Sequence, residues 1–353
     1  MLAVFFLLSL LAVLISVADP AQRITHRRAH VLLFSILALL VWQASTFKIA
    51  PGSDLYTFFS ESLHLSSLSP VEAVSSTARD PGYALLGWGI MSITPSPLLF
   101  SAAWPLLTLT GTYLGLRCVL RPWQLLLTLF LLISLPIFFG YLQVAVRQGV
   151  ALGLLAFALG HGLAGKRAFL YAGALAAPLL HWSALPFSAA LFIACSRYRT
   201  VGVAAATWVL SATLFVFGEQ LELLEPLTDS LPVIENYASP SVVEAYGGTN
   251  RVDFFLVSLL GACAGLWLHM TRSVGDTMYD GILTYYLLAN AAFLLFGFVA
   301  FSDRIAVYSW YMLPLLLVYP LLASHPRGGW EAPAICIGSL IVGVLFGSYS
   351  FFV

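Results

Sequence analysis

Val146-Arg147-Gln148-Gly149-Val150-Ala151 sets an arginine where one apolar run, Trp123 to Tyr141, has ended and another, Gly149 to Leu163, begins. A little further on, Leu180-His181-Trp182-Ser183-Ala184-Leu185 places a histidine inside a third apolar run, between Pro178 and Pro186. Runs of this length decide the fold class. An ionisable group at membrane depth is costly, roughly 2.5–3.5 kcal/mol for an arginine at the centre of a helix, so it usually has a functional reason.

Composition points the same way. The 353 residues are 60% hydrophobic and only 9% charged, whereas a soluble domain carries about 25% charged residues. Long apolar runs bounded by short polar loops predict an all-α, multispanning membrane protein, because in lipid every backbone polar group must be satisfied within the chain. The four cysteines, Cys118, Cys195, Cys263 and Cys336, lie in or at the ends of different runs with no CxxC or Cys/His spacing. Neither a disulfide framework nor a zinc site is indicated. The first run, Leu2 to Val17, lacks a basic flank in front of it, so a retained helix is expected although Ser16-Val17-Ala18 resembles a weak cleavage site.

Spans are predicted near 1–18, 31–47, 97–116, 123–141, 148–163, 201–217, 252–270, 281–300, 305–323 and 332–352, giving about 10–12 crossings in a single membrane-embedded domain over 1–353. Residues 82–94 are apolar but too short to span and read as a re-entrant or interfacial helix. Residues 168–195 exceed one span and fall short of two, which predicts a broken helical hairpin with His181 at its tip. GxxxG pairs at Gly111/Gly115, Gly149/Gly153, Gly261/Gly265 and Gly343/Gly347 mark close helix packing. No internal repeat is visible.

Of the 16 Lys and Arg residues, Arg23, Arg27, Arg28, Arg117, Arg121, Lys166, Arg167, Arg197, Arg199, Arg272 and Arg327 fall on one side of the alternating topology. The positive-inside rule makes that side cytoplasmic. Lys48, Arg79, Arg147, Arg251 and Arg304 remain on the other side. So do two long outer loops, about 48–81 and 218–251, which hold Asp54, Glu61, Glu72, Asp80, Glu219, Glu222, Glu225, Asp229, Glu235 and Glu244. The working face is therefore expected outside.

Arg147, Arg251 and Arg304 each stand at the outer mouth of a helix. A planar guanidinium grips a pair of phosphate oxygens, and helix N-termini add N–H donors and positive dipole. The competing reading is snorkelling, or ion pairing of Arg251 with Asp253 and of Arg304 with Asp303. His181 either lines a cavity as a general base, imidazole having an ordinary pKa near neutrality, or is a hydrogen-bonded interior histidine. Asp54 and Tyr56, in Pro51-Gly52-Ser53-Asp54-Leu55-Tyr56, offer an acceptor and an aromatic face for a sugar ring, or form an ordinary turn or cap. Asp-x-Asp, HExxH, GxSxG and P-loop motifs are absent from the sequence, so metal-dependent transfer, zinc hydrolysis and nucleoside triphosphate hydrolysis lose support. No cofactor, metal or nucleic-acid partner is expected.

Five short motifs occur in one order: Gly52-Ser53-Asp54, Asp80-Pro81-Gly82-Tyr83, Arg147-Gln148-Gly149-Val150-Ala151, His181-Trp182-Ser183-Ala184, and Asp303-Arg304 ahead of Tyr308 and Tyr311. Over residues about 50–320 this order resembles the EpsG/Wzy-like bacterial polysaccharide polymerases, with Asp80 where many relatives carry Glu. The resemblance implies a GT-C-like fold in the bacterial cytoplasmic membrane with its active site facing outward. It further implies an inverting, metal-independent glycosyltransferase of O-antigen or exopolysaccharide synthesis. Such an enzyme joins oligosaccharide repeat units carried on undecaprenyl diphosphate, alongside a chain-length regulator or export machinery. Arg147, Arg251 and Arg304 would hold the departing diphosphate. Arg79, Tyr56, Tyr83 and Asp303 would contribute to substrate binding, and His181 and Asp54 compete as base. A flippase of lipid-linked sugar, a lipid-linked-glycan ligase and a membrane acyltransferase are the alternatives.

Overall fold

Small residues recur along two of the long helices because those helices pack closely. The computed structural model describes residues 26–46, 49, 51–133, 138–218, 239–246 and 248–323, and every element among them is helical. The described helices are α1 (His26–Ser45), α2 (Asp54–Leu65), α3 (Pro70–Ser76), α4 (Pro81–Ile93), α5 (Pro97–Leu116), α6 (Pro122–Ile133), α7 (Phe138–Gln143), α8 (Val146–Leu163) and α9 (Arg167–Leu180). A 3-10 turn (Trp182–Ala184) follows. Then come α10 (Leu185–Ala194), α11 (Val201–Phe217), α12 (Pro240–Tyr246), α13 (Val252–Arg272), α14 (Thr277–Leu295), α15 (Asp303–Trp310) and α16 (Leu313–Ala323). Among the described residues, four helices are long and apolar enough to cross a membrane: Pro97–Leu116, Val146–Leu163, Val252–Thr271 and Thr277–Leu295. Shorter apolar helices accompany them, and the chain is an all-α polytopic membrane protein. The expected spans at 1–18 and 332–352 lie outside the described residues.

The chain forms two compact units, residues 1–188 with 321–353, and residues 189–320. In the first unit, α5 and α8 run in the same direction. A Cβ on Gly111 would meet the Gly153 carbonyl at 2.8 Å, and one on Gly115 would meet the Ala156 carbonyl at 2.1 Å. At Gly160 it would lie 2.0 Å from the Gly115 carbonyl. Only glycine permits this approach, and in lipid such backbone packing replaces the hydrophobic drive that water would supply. Helix α9 folds back on α8, with Gly173 against the Leu154 carbonyl, and α4 docks on the end of α9 through Gly82, whose Cβ would sit 2.7 Å from the Leu179 carbonyl.

In the second unit the buried core carries a polar hub. Asn290 on α14 accepts from the Trp208 indole at 2.7 Å and donates to the hydroxyls of Ser258 at 2.8 Å and Ser309 at 2.9 Å. Trp310 donates to the same Ser258 hydroxyl. Asn290 is fully buried, and a buried amide is tolerated when its donors and acceptor are used. The hub ties α11, α13, α14 and α15 together.

Several expected boundaries move, each for a local reason. The segment expected as an outer loop at 48–81 is helical over α2 and α3. Ser53 caps α2 by accepting from the Tyr56 N–H at 3.2 Å, and Ser69 with Glu72 forms a capping box on α3. Within the span expected at 123–141, α6 and α7 are helical, and residues 134–137 lie outside the described residues. The span expected at 305–323 divides at Tyr311–Met312, because Pro314 lacks an N–H and its ring crowds the carbonyl four residues back. The span expected at 281–300 begins at Thr277, where the Asp276 carboxylate caps the N–H groups of Met278 and Tyr279. The short helix expected at 82–94 is the thirteen-residue α4, Pro81–Ile93, which rises about 20 Å against a hydrocarbon core of about 30 Å. The 168–195 segment is the expected broken hairpin: α9 ends at Leu180, and His181 is extended.

Candidate active site

Helix α2 builds the floor of the site. Its buried positions Leu55, Phe58, Ser62 and Leu65 fall on one face, and that face meets Tyr83 of α4, edge-on to Phe58 at 5.6 Å between ring centres. Trp104 of α5 stacks on Tyr83 from within the core. The Tyr83 hydroxyl donates to the Phe58 carbonyl at 3.2 Å. Two guanidinium groups lie over this aromatic pair. Arg147 is 5.2 Å from the Phe58 ring centre and 5.5 Å from that of Tyr83, and Arg79 is 4.8 and 5.9 Å from the same two. Cation–π attraction is strongest where water is excluded.

Each arginine also has a carboxylate. Arg79 Nε donates to Glu61, whose other oxygen accepts from the Thr77 hydroxyl at 2.7 Å. Arg147 Nη1 donates to Asp80 Oδ2 at 2.6 Å, and Asp80 Oδ1 accepts from the Trp182 backbone N–H at 3.0 Å. A guanidinium carries five N–H donors. Among the described residues these pairings engage one on each arginine. Arg147 sits in the first turn of α8, where the helix dipole favours anions. A cation there is the wrong sign, and the Asp80 carboxylate compensates for it locally.

His181 follows directly from this network, because the residue after it is the one whose N–H Asp80 holds. Its ring nitrogen Nδ1 lies 3.4 Å from the Ser183 hydroxyl, and its carbonyl accepts from the Ala184 N–H at 2.9 Å. Arg79, Tyr83, Arg147 and His181 therefore belong to one neighbourhood. Asp54 and Tyr56 lie on the exposed face of α2, in the first turn capped by Ser53.

The remaining expected site residues lie in the second unit. Arg251 pairs with Asp253 through both Nε, at 3.1 Å, and Nη2, at 2.5 Å. This is the ion pair that competed with the anion-site reading, and the Asp253 hydrogen bond raises the Arg251 pKa further. The Arg251 guanidinium lies 4.2 Å from the Phe254 ring centre and 5.6 Å from that of Tyr246. Asp303 accepts the Tyr246 hydroxyl, and Arg304 lies 4.6 Å over the Phe301 ring. Burial, and then the Asp303 charge, push the Tyr246 hydroxyl well up, which keeps it a donor at neutral pH. Phe301 itself has φ 59°, left-handed backbone that a bulky side chain rarely adopts.

With this geometry in place, the chain can be set beside known proteins. A family model described as the EpsG family matches residues 31–346. The chain belongs to the EpsG family. No curated protein and no solved structure matches it. Membership indicates a polysaccharide polymerase-like membrane protein, and the matched span contains every helix of both neighbourhoods described above. For an EpsG-family chain, the sequence reading overlooked Glu61, Phe58 and Tyr246 as partners of the singled-out residues. The spacing of Leu55, Phe58, Ser62 and Leu65, together with Ser69-x-x-Glu72, was the available signal that this segment is helical.

Proposed function

We propose that this EpsG-family protein is an inverting glycosyltransferase that needs no metal ion. It would lengthen a polysaccharide from repeat units carried on undecaprenyl diphosphate, at the outer face of the bacterial cytoplasmic membrane. The observation that carries this reading is the Arg147–Arg79 pair, held over Phe58 and Tyr83 by Asp80 and Glu61. The leaving group is a diphosphate, and fixed guanidinium donors can stabilise its developing charge as a divalent cation does elsewhere. The aromatic floor and the flanking helices lower the local dielectric, which strengthens that interaction.

In the reaction the acceptor sugar hydroxyl attacks the anomeric carbon from the side opposite the diphosphate. The new C–O bond forms as the C–O bond to the diphosphate breaks, and the hydroxyl proton passes to a base. His181 is the better candidate, since it lies one residue from the Asp80–Trp182 contact, whereas Asp54 is exposed in the first turn of α2. Tyr83 and Tyr56 are proposed sugar contacts; in the second unit, Arg251 and Arg304 are proposed as separate anion contacts and Asp303 as a glycan contact.

Two experiments test the reading. Cells lacking the gene should accumulate single repeat units on carrier lipid, with polymer restored by the intact gene. Polymer retained on carrier lipid would instead mean a ligase. Purified protein given lipid-linked repeat units should polymerise them in excess EDTA at close to the normal rate. Activity that is lost in EDTA and restored by magnesium or manganese would overturn the arginine-only account of the leaving group.

A further inference from the structure

Asp80 occupies the N-cap of α4, yet its side chain makes no cap hydrogen bond to that helix. Aspartate at an N-cap ordinarily accepts from the N–H two or three residues on. Here both carboxylate oxygens are turned elsewhere, one to the Arg147 guanidinium on α8 and one to the Trp182 N–H at the break after α9. The side chain is only 6% exposed. A buried carboxylate that forgoes its local partner for two remote ones, 67 and 102 residues away in sequence, fixes the relative placement of those two. Helix α4 is itself seated against the end of α9 by Gly82, so Asp80 cannot drift without lifting that helix.

Taking the transferase reading as its basis, we propose that Asp80 is a positioning residue that holds the Arg147 guanidinium and the His181-bearing break in one frame. Its two oxygens act on different steps. The Oδ2–guanidinium contact orients the grip on the diphosphate. The Oδ1–Trp182 N–H contact sets where the His181 ring stands when the acceptor hydroxyl gives up its proton. Asp80 itself touches neither reacting atom.

The two arms can be cut separately. Asp80→Asn keeps an oxygen for the Trp182 N–H but loses the charge that holds Arg147. Trp182→Pro removes that N–H and leaves the Asp80–Arg147 pair. Proline is admissible there because it opens a 3-10 turn, and the preceding His181 is already extended at φ −154°, ψ 109°. Trp182→Ala, which keeps the N–H, sets the reference for loss of the indole.

All variants are compared as full-length protein in detergent, at matched monodisperse yield, with undecaprenyl-diphosphate-linked repeat units extracted from a host lacking the gene. Asp80→Asn should lower kcat/KM about tenfold, because the guanidinium meets both the bound and the departing diphosphate, and Trp182→Pro should lower kcat about tenfold or more beyond Trp182→Ala with KM nearly unchanged. In an Asp80→Ala background, Trp182→Pro should cost no more kcat than Trp182→Ala, because the N–H contact is already gone. Amide hydrogen exchange should speed up over residues 177–185 in Asp80→Ala but not in Asp80→Asn.

Unchanged exchange over 177–185 in a well-folded Asp80→Ala protein would overturn the proposal. So would equal kcat for Trp182→Pro and Trp182→Ala with Asp80 intact, or a lower kcat for Trp182→Pro than for Trp182→Ala in the Asp80→Ala background. If the unaltered protein makes no polymer, the transferase reading fails on that result, and the exchange measurement still decides whether Asp80 holds the frame.

Discussion

At the scale of single residues, Arg147 and His181 carry the chemistry proposed for the first unit. A guanidinium can donate to Asp80 from one nitrogen and still offer further N–H groups to a phosphate, whereas an ammonium is a point charge with a different reach. Arg147→Lys is therefore expected to be nearly as inactive as Arg147→Ala at equal protein level. Polymer yield in a complemented deletion strain measures this, and full polymer from Arg147→Ala would remove Arg147 from the site. A general base accepts a proton only in its neutral form, so the role proposed for His181 predicts a rate that rises with pH. His181→Gln retains hydrogen bonding and similar bulk but cannot accept a proton at neutral pH. It should lose on the order of 10²–10⁴-fold in rate together with that rise. A well-expressed His181→Gln protein with near-normal polymer and an unchanged pH profile would make His181 a packing residue and leave Asp54 as the candidate base.

At the scale of elements, α5 and α8 form the rigid support from which Arg147 projects. Their contact is backbone on backbone, with Gly115 against Ala156 and Gly160. Gly115→Val would force the helices apart, because its Cβ would meet main-chain atoms that have nowhere to go. Overpacking of this kind costs about 1–3 kcal/mol or more. The expected result is a lower melting temperature in detergent and reduced polymer in parallel, and a variant as heat-stable as the parent would mean that the helices can separate freely. The GxxxG spacing announced this packing, although it did not say which helices meet. Helices α2 and α3 were harder to see because they are short and interrupted by polar residues such as Asp54, Ser60, Glu61 and Glu72, so an apolar-run criterion passes over them. Their caps, Ser53 and Ser69 with Glu72, are the legible part. The Ser69 N–H and hydroxyl hold the Glu72 carboxyl below its usual range. That contribution to α3 is present above the unfolded carboxyl range and is lost as pH falls through the lowered value.

At the scale of the whole molecule, orientation rests on the unequal distribution of basic residues. In a cysteine-free background, a single cysteine at Ser67, exposed between α2 and α3, should react with a membrane-impermeant maleimide in intact spheroplasts. One at Val274, exposed between α13 and α14, should react only after permeabilisation. The reverse pattern would place the Arg147 neighbourhood on the cytoplasmic side and sink an outward-facing active site. Either result leaves the membrane fold intact, since that fold depends on apolar length and not on the sign of the flanking charge.

The amino-acid sequence by itself determined that this is an all-α multispanning protein, that the hairpin after Arg167 is broken at His181, and which short motifs resemble a polysaccharide polymerase. These properties are local or periodic: apolar length, proline placement and glycine spacing act within a few turns of chain. Only the tertiary structure decided which carboxylate meets which arginine. Asp80 stands in the sequence only as an acidic residue of the 48–81 segment and part of the Asp80-Pro81-Gly82-Tyr83 motif, yet it pairs with Arg147 and the Trp182 N–H, and Arg79 turns to Glu61 instead of its neighbour Asp80. The physical reason is that a buried charge must find its partners in space, where α4, α8 and α9 bring together residues that the chain keeps 67 and 102 positions apart.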